Sequence, residues 1–172
     1  MEAGKMHDTV VEKILFLMNT ELFSDIPTKQ LLYLGQISRF HFYAEGECLF
    51  VEGDLTPAIY LIVSGSVTVV KNNQAARSYE KGDVLAEMGF FDGSPCVADA
   101  ISTEETEVLQ IDRDEFFDLF RDCVEISHGV LKFYIRRYRY ILELISSEGL
   151  LQYLVENTDL KESDISGSYK AG

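Results

Sequence analysis

From Arg39 to Ile111 the chain is written with a period of two. Phe40 and Phe42, Cys48 and Phe50, Ile59, Leu61 and Val63, then Val67 and Val69 alternate with their neighbours as half-buried strands do. Turn signals cut this pattern at short intervals: Glu45-Gly46-Glu47, Glu52-Gly53-Asp54, Ser64-Gly65-Ser66, Lys71-Asn72-Asn73 and Lys81-Gly82-Asp83. Glycine reaches positive φ without a Cβ clash, so the glycines here are read as makers of turns. Short strands so spaced predict a mainly β fold, an antiparallel jelly-roll barrel (double-stranded β-helix) of eight strands. Val97–Ile101 and Val108–Ile111 are expected to close it.

Helices flank the strands. Val10, Val11, Ile14, Leu15, Leu17 and Met18 recur at steps of three and four, and Thr28 is the expected N-cap of a second helix through Leu31, Leu32, Leu34 and Ile37. After the strands, Asp114 is expected to cap Glu115–Phe120. A long helix should then run from about Asp122 to Glu148, with Gly149 as its stop and one short helical piece over Leu150–Glu156. The expected organisation is an N-terminal helical segment, 1–38, a β region, 39–111, its C-terminal helices, 112–149, and a short helix with a mobile tail, 150–172.

A chain of 172 residues, 47% hydrophobic and 26% charged, suits one soluble globular domain. A net charge of −14 repels nucleic acid and anionic membranes, so neither is an expected partner. Cys48, Cys96 and Cys123 form no C-x-x-C pair, and His7, His41 and His128 are scattered without an H-x-H. No metal site, catalytic set or enzyme activity is therefore expected. No signal peptide or membrane-spanning run is visible, and reduced thiols point to the cytoplasm.

Four motifs occur in order. They are Gly46-Glu47-Cys48-Leu49-Phe50 followed by Glu52-Gly53-Asp54, the run from Tyr60 to Val69, Tyr79-Glu80-Lys81-Gly82-Asp83, and Gly82 to Ala98. Together they resemble the cyclic nucleotide-binding domain of the catabolite activator family, protein kinase A regulatory subunits and cyclic-nucleotide-gated channels. The likeness covers roughly Val10 to Leu144. It implies that Gly82–Ala98 is a phosphate-binding cassette, a strand that turns into a short helix, expected near Met88-Gly89, and back into a strand. The implied ligand site is Val84, Leu85, Ala86, Glu87, Met88, Gly89, Cys96, Val97 and Ala98, with a cyclic nucleotide as ligand and no other cofactor.

In the family, a Glu holds the ribose 2′-hydroxyl and an Arg holds the cyclic phosphate. Glu87 falls on the Glu position, but Cys96 stands nine residues later on the Arg position. A thiol gives no bidentate, charge-assisted contact to phosphate. Val97 replaces the family's Ala or Ser, and Asp92 and Asp99 add carboxylates. Each change moves the site away from anion binding.

On the long helix Val124, His128, Leu131, Ile135, Tyr138, Leu142 and Ile145 follow coiled-coil steps, with Val130, Tyr134, Ile141 and Leu144 as a second stripe. A homodimer through this helix is expected. The basic cluster Lys132, Arg136, Arg137 and Arg139 is read as a solvated face. The expected function is a non-catalytic sensor that couples a small-molecule pocket to the long helix, with weakened or lost binding of cyclic AMP and cyclic GMP and a protein partner as output. The alternatives are a ligand-free scaffold that dimerises through its helices and a fragment of a DNA-binding regulator.

Overall fold

A computed structural model describes residues 9–72 and 74–146, without the side chains of Leu144 and Ser146. The turn position Asn73, the stop at Gly149, the short helix over Leu150–Glu156 and the tail lie outside the described residues.

The chain opens with α1 (Val10–Met18), a 3-10 turn (Glu21–Phe23) and α2 (Thr28–Ile37). Thr9 caps α1 in a capping box with Glu12. The N-cap position of α2 is Pro27, not the expected Thr28, which is the first helical residue. Proline suits a helix start because its missing N–H would have no intrahelical partner there. Leu17, Leu22, Phe23, Leu31 and Leu34 are fully buried or nearly so. Lys13, also buried, donates from Nζ to the Ser38 carbonyl at 3.0 Å and so ties α1 to the start of the strands.

Eight strands follow among the described residues: β1 (Ser38–Tyr43), β2 (Cys48–Phe50), β3 (Ala58–Ser64), β4 (Val67–Lys71), β5 (Gln74–Tyr79), β6 (Val84–Leu85), β7 (Asp99–Ser102) and β8 (Thr106–Asp112). They form two four-stranded antiparallel sheets, in the orders β1-β8-β3-β6 and β2-β7-β4-β5. This is the jelly-roll order, present as two sheets. Their inner faces meet in one cluster: Tyr60, Ile62, Leu85 and Val108 from the first sheet, and Leu49, Val67 and Ala100 from the second. The closing strand β7 begins at Asp99, two residues later than expected, because Val97 precedes the regular ladder.

Between β6 and β7 lies α3 (Glu87–Asp92). It starts at Glu87, earlier than the expected Met88-Gly89. Ala86 turns the chain into it with φ of 64°, a left-handed conformation that disfavours a side chain. Asp112 ends β8 and caps α4 (Arg113–Asp122), its carboxylate accepting from the N–H groups of Asp114 at 2.9 Å and Glu115 at 3.2 Å. The cap is therefore two residues earlier than the expected Asp114. Cys123, with φ −121° and ψ 93°, interrupts the helix, so α5 runs Val124–Ser146 rather than from Asp122. The described chain divides into two compact units between Leu131 and Lys132, inside α5. Within the first unit, Ile126, Gly129 and Val130 are on the buried side of α5.

Two backbone positions are testable. A methyl at Gly129 would stand 2.5 Å from Ile26 Cγ1 and 3.3 Å from the Asp25 carbonyl carbon. Gly129→Ala should cost about 1–2 kcal/mol, because overpacking against backbone outweighs the roughly 1 kcal/mol helix-propensity gain; a urea melt showing net stabilisation would contradict this contact. At Ala86 a β-branched side chain meets the left-handed backbone, so Ala86→Val should cost about 2 kcal/mol. Ala86→Gly should stay within about 0.5 kcal/mol of the parent, since relief of strain offsets lost burial and added chain entropy. Equal stability of the Val and Gly variants in the same melt would count against the strain.

Candidate functional site

The cassette is built on ladder geometry. Val84 pairs with Leu61 and Leu85 with Tyr60, so β6 lies beside the floor of the inner face. Leu85 is buried in the cluster there, and Ala86 packs against it. Glu87 is the first residue of α3, half-buried, where a carboxylate complements the helix dipole. Gly89 is forced by a close approach: a Cβ there would stand 2.5 Å from the Ser94 carbonyl oxygen.

The exit from the cassette continues the β2–β7 pairing. Phe50 faces Ala100 in the ladder, and Leu55 bridges to Pro95 in the same antiparallel register. Between them the Gly53 N–H donates to the Cys96 carbonyl and the Cys96 N–H to the Asp54 carbonyl, both at 2.8 Å. Side chains alternate along this ribbon. Ala98 and Ala100 are buried inside, while Val97 is 58% exposed on the outer face. Cys96 falls on the inner side, half-buried, with Sγ 2.7 Å from Thr56 Oγ1.

The proposed residues do not all converge. Leu85, Ala86, Cys96 and Ala98 face the interior between the sheets. Met88 is 63% and Val97 58% exposed, so these two expected ligand residues are at the surface rather than among the buried ones. Asp99 also departs from expectation. Its alternation with the buried Ala100 turns it outward, where Oδ1 accepts the Glu52 N–H at 2.7 Å. Asp92 is an exposed carboxylate held on the Ser94 N–H at 2.8 Å, and its hydrogen bonding to Ser94 lowers its pKa. Neither acid loads the inner face with charge.

Aromatic rings complete the inner face. Phe50 and Tyr60 lie with ring centroids 5.7 Å apart, and Tyr43 and Tyr79 pack on the same cluster. Burial, then the proximity of Tyr43 and Cys96, push the Tyr60 phenol up to about 12. Arg77, opposite Val69 on β5, stacks over Tyr79 at 4.6 Å and stands at the edge of this face. Thr56 and Tyr43 escaped the sequence reading: a threonine between Leu55 and Pro57 carries no motif, and Tyr43 looks like any strand residue.

A second group missed from sequence anchors α3 from behind. Phe90, Phe91, Phe116, Phe117 and Phe120 form a continuous set of ring contacts from α3 to α4, with centroids 5.1–6.4 Å apart. Arg113 donates from Nε to the Phe90 carbonyl at 2.8 Å while its guanidinium lies over Phe117 at 4.8 Å. The five phenylalanines were visible as two apolar pairs and a single residue, but nothing in their spacing said that the two helices meet.

On α5 the expected seam is open for much of its length. Val124 is 72%, Leu131 56% and Tyr138 61% exposed; His128 and Ile135 are exposed too, and Leu142 and Ile145 are half-buried.

Comparison with known proteins agrees with this architecture. Residues 40–123 match the model of the cyclic nucleotide-binding domain. The cyclic AMP receptor protein of Thermus thermophilus is 29% identical over 62% of this chain and 53% of its own length. The cAMP-dependent protein kinase regulatory subunit of Aspergillus niger is 32% identical over 43% of this chain and 18% of its own. A mutant regulatory subunit of a cAMP-independent protein kinase A from Trypanosoma brucei, solved bound to cAMP, superposes with a TM-score of 0.61 at 20% identity, over 87% of this chain and 52% of that one. The chain thus spans about half the length of the Thermus relative and less than a fifth of the Aspergillus one. With two sheets in jelly-roll order and a cassette between β6 and β7, it is residues 40–123 that match the cyclic nucleotide-binding domain family.

Proposed function

We propose that this chain is a non-catalytic sensor module whose inner-face site takes a small molecule and reports to α5, and that it binds cyclic AMP and cyclic GMP weakly or not at all. The observation that carries this is the pair Cys96–Thr56. Where the family uses a cationic fork, this site holds a thiol hydrogen-bonded to a hydroxyl at 2.7 Å. Glu87 keeps the position of the family's ribose contact, at the head of α3. Losing the partner of a buried charge typically costs about 2–5 kcal/mol, or roughly 30-fold to several thousand-fold in affinity.

The Trypanosoma brucei subunit offers a parallel. Its kinase is cAMP-independent, and a mutant subunit carrying together a glutamate-to-alanine, a threonine-to-arginine and an adjacent valine-to-alanine change was solved with cAMP in its A site. Cys96-Val97 stands here as a small uncharged residue followed by valine.

The second reading, a scaffold that dimerises through its helices, is favoured by the exposure of Val124, Leu131, Ile135 and Tyr138. Such a stripe on a surface helix normally faces a partner. The two readings are compatible, since a sensor that reports through α5 needs something for α5 to touch.

Two outcomes are expected. At sub-millimolar cyclic AMP or cyclic GMP the unmodified chain should show no melting shift. Saturation at 100 times Kd would add about 2.7 kcal/mol and several degrees. Cys96→Arg, checked for folding by circular dichroism, should create binding, and Glu87→Ala in that background should remove it; sub-micromolar affinity in the unmodified chain would defeat the proposal. By light scattering the chain should be a dimer that Leu131→Asp with Ile135→Asp converts to monomer, and a dimer surviving both changes would place the contact elsewhere.

A further inference from the structure

The sensor reading gives the output to α5, and the helix itself says what kind of surface it fits. In the second unit α5 runs from Lys132 to Ser146. Phe133 is its last buried side chain among the described residues. Beyond it Ile135, Tyr138, Leu142 and Ile145 recur at steps of three and four, which places them along one face of the helix. Ile135 is 42% and Tyr138 61% exposed, so this apolar face is open to a partner.

Charge sets this stretch apart from the rest of the chain. Lys132, Arg136 and Arg139, again at steps of four and three, form a row beside the apolar face, and all three are exposed. Arg137 stacks over Phe133 at 5.9 Å, on another side of the helix. With these four cations and the one carboxylate Glu143, the segment is net positive by three charges in a chain of net charge −14. Paired helices hold the residues that flank the seam against those of the partner, where like charges oppose pairing and unlike charges select it. A second copy of the segment brings the same excess of cations. An anionic membrane would attract the segment but repel the remainder of the chain, which is more acidic than the whole. A helix of another protein, with carboxylates beside its own apolar seam, meets neither obstacle.

Resting on the reading of α5 as the output, we infer that its second-unit half docks an acidic amphipathic helix of a partner protein, seam to seam, with the partner's carboxylates against Lys132, Arg136 and Arg139. The apolar face supplies the adhesion, and the cation row decides between partners. Self-pairing is then the weaker of two uses of one seam, because it brings the two cation-rich segments together.

The test uses two synthetic helices of about three heptads, both with isoleucine and leucine at the seam, one with glutamate and the other with lysine at the flanking positions. Titrated against the full chain by fluorescence anisotropy, the glutamate helix should bind about tenfold more tightly than the lysine helix at about 50 mM salt, and should lose most of that preference at about 500 mM. Lys132→Glu with Arg136→Glu and Arg139→Glu, all on exposed positions and checked for folding by circular dichroism, should reverse the order. Equal binding of the two helices overturns the inference and leaves an unselective seam. Preference for phosphatidylserine vesicles over the glutamate helix overturns it in favour of lipid. Failure of both helices to bind overturns it as well: a chain that still dimerises then keeps its α5 reading, with a second copy on the seam, while a monomeric one loses that reading too. Binding of the glutamate helix that survives Leu131→Asp with Ile135→Asp would place the contact off this face and overturn both.

Discussion

A helix of six residues cannot support itself, because the cost of its first turn is recovered only over many further hydrogen bonds. The helix α3 therefore exists through what it leans on. Phe90 is fully buried against Phe116, and Arg113 caps the Phe90 carbonyl near the end of α3 from the first turn of α4. The arginine sits at the unfavourable end of its own helix dipole but at the favourable end of the one it braces. Glu87 is presented at the head of α3 only because this brace holds the tail. The helices α3 and α4 are thus parts of one aromatic assembly, and a change in the position of α3 is felt by α4 directly.

Much of this was legible before any coordinates. The period-two pattern and its glycine turns pointed to an eight-stranded jelly-roll barrel, present in the structure as two four-stranded sheets, and the four motifs pointed to the cassette. Errors gathered at boundaries, for local reasons. Asp112 and Asp114 are both good caps, and the choice between them depended on where β8 stops bonding to β3, a tertiary fact. Cys123 has an ordinary side chain, so the break before α5 left no trace in composition. At the site, alternation was the missing information: Val97 was placed at the ligand by resemblance to the family's motif, and Asp99 was read as adding charge there. In an extended ribbon, adjacent residues face opposite sides. Thr56 was illegible because its importance comes entirely from a residue forty positions away.

Charge has a consistent role. The chain carries a net charge of −14, yet the cluster between the sheets is built of rings and alkyl groups, with the Cys96 thiol and the Thr56 hydroxyl bonded to each other and Arg77 at the edge over Tyr79. Two carboxylates that threatened it are turned outward, one onto the Glu52 N–H and the other onto the Ser94 N–H.

The ribbon joining residues 50–55 to 95–100 keeps a single register from the ladder pair Phe50–Ala100 to the bridge Leu55–Pro95. Its history of change is constrained accordingly. Inserting or deleting one residue between Pro95 and Ala100 would exchange inside for outside, bringing Val97 or its neighbour to the interior and expelling Cys96. Descendants of such a chain can alter what they recognise by replacing side chains, but not by altering loop length here. Two relatives with different ligands should therefore differ at the inward positions while the spacing between the arms stays the same.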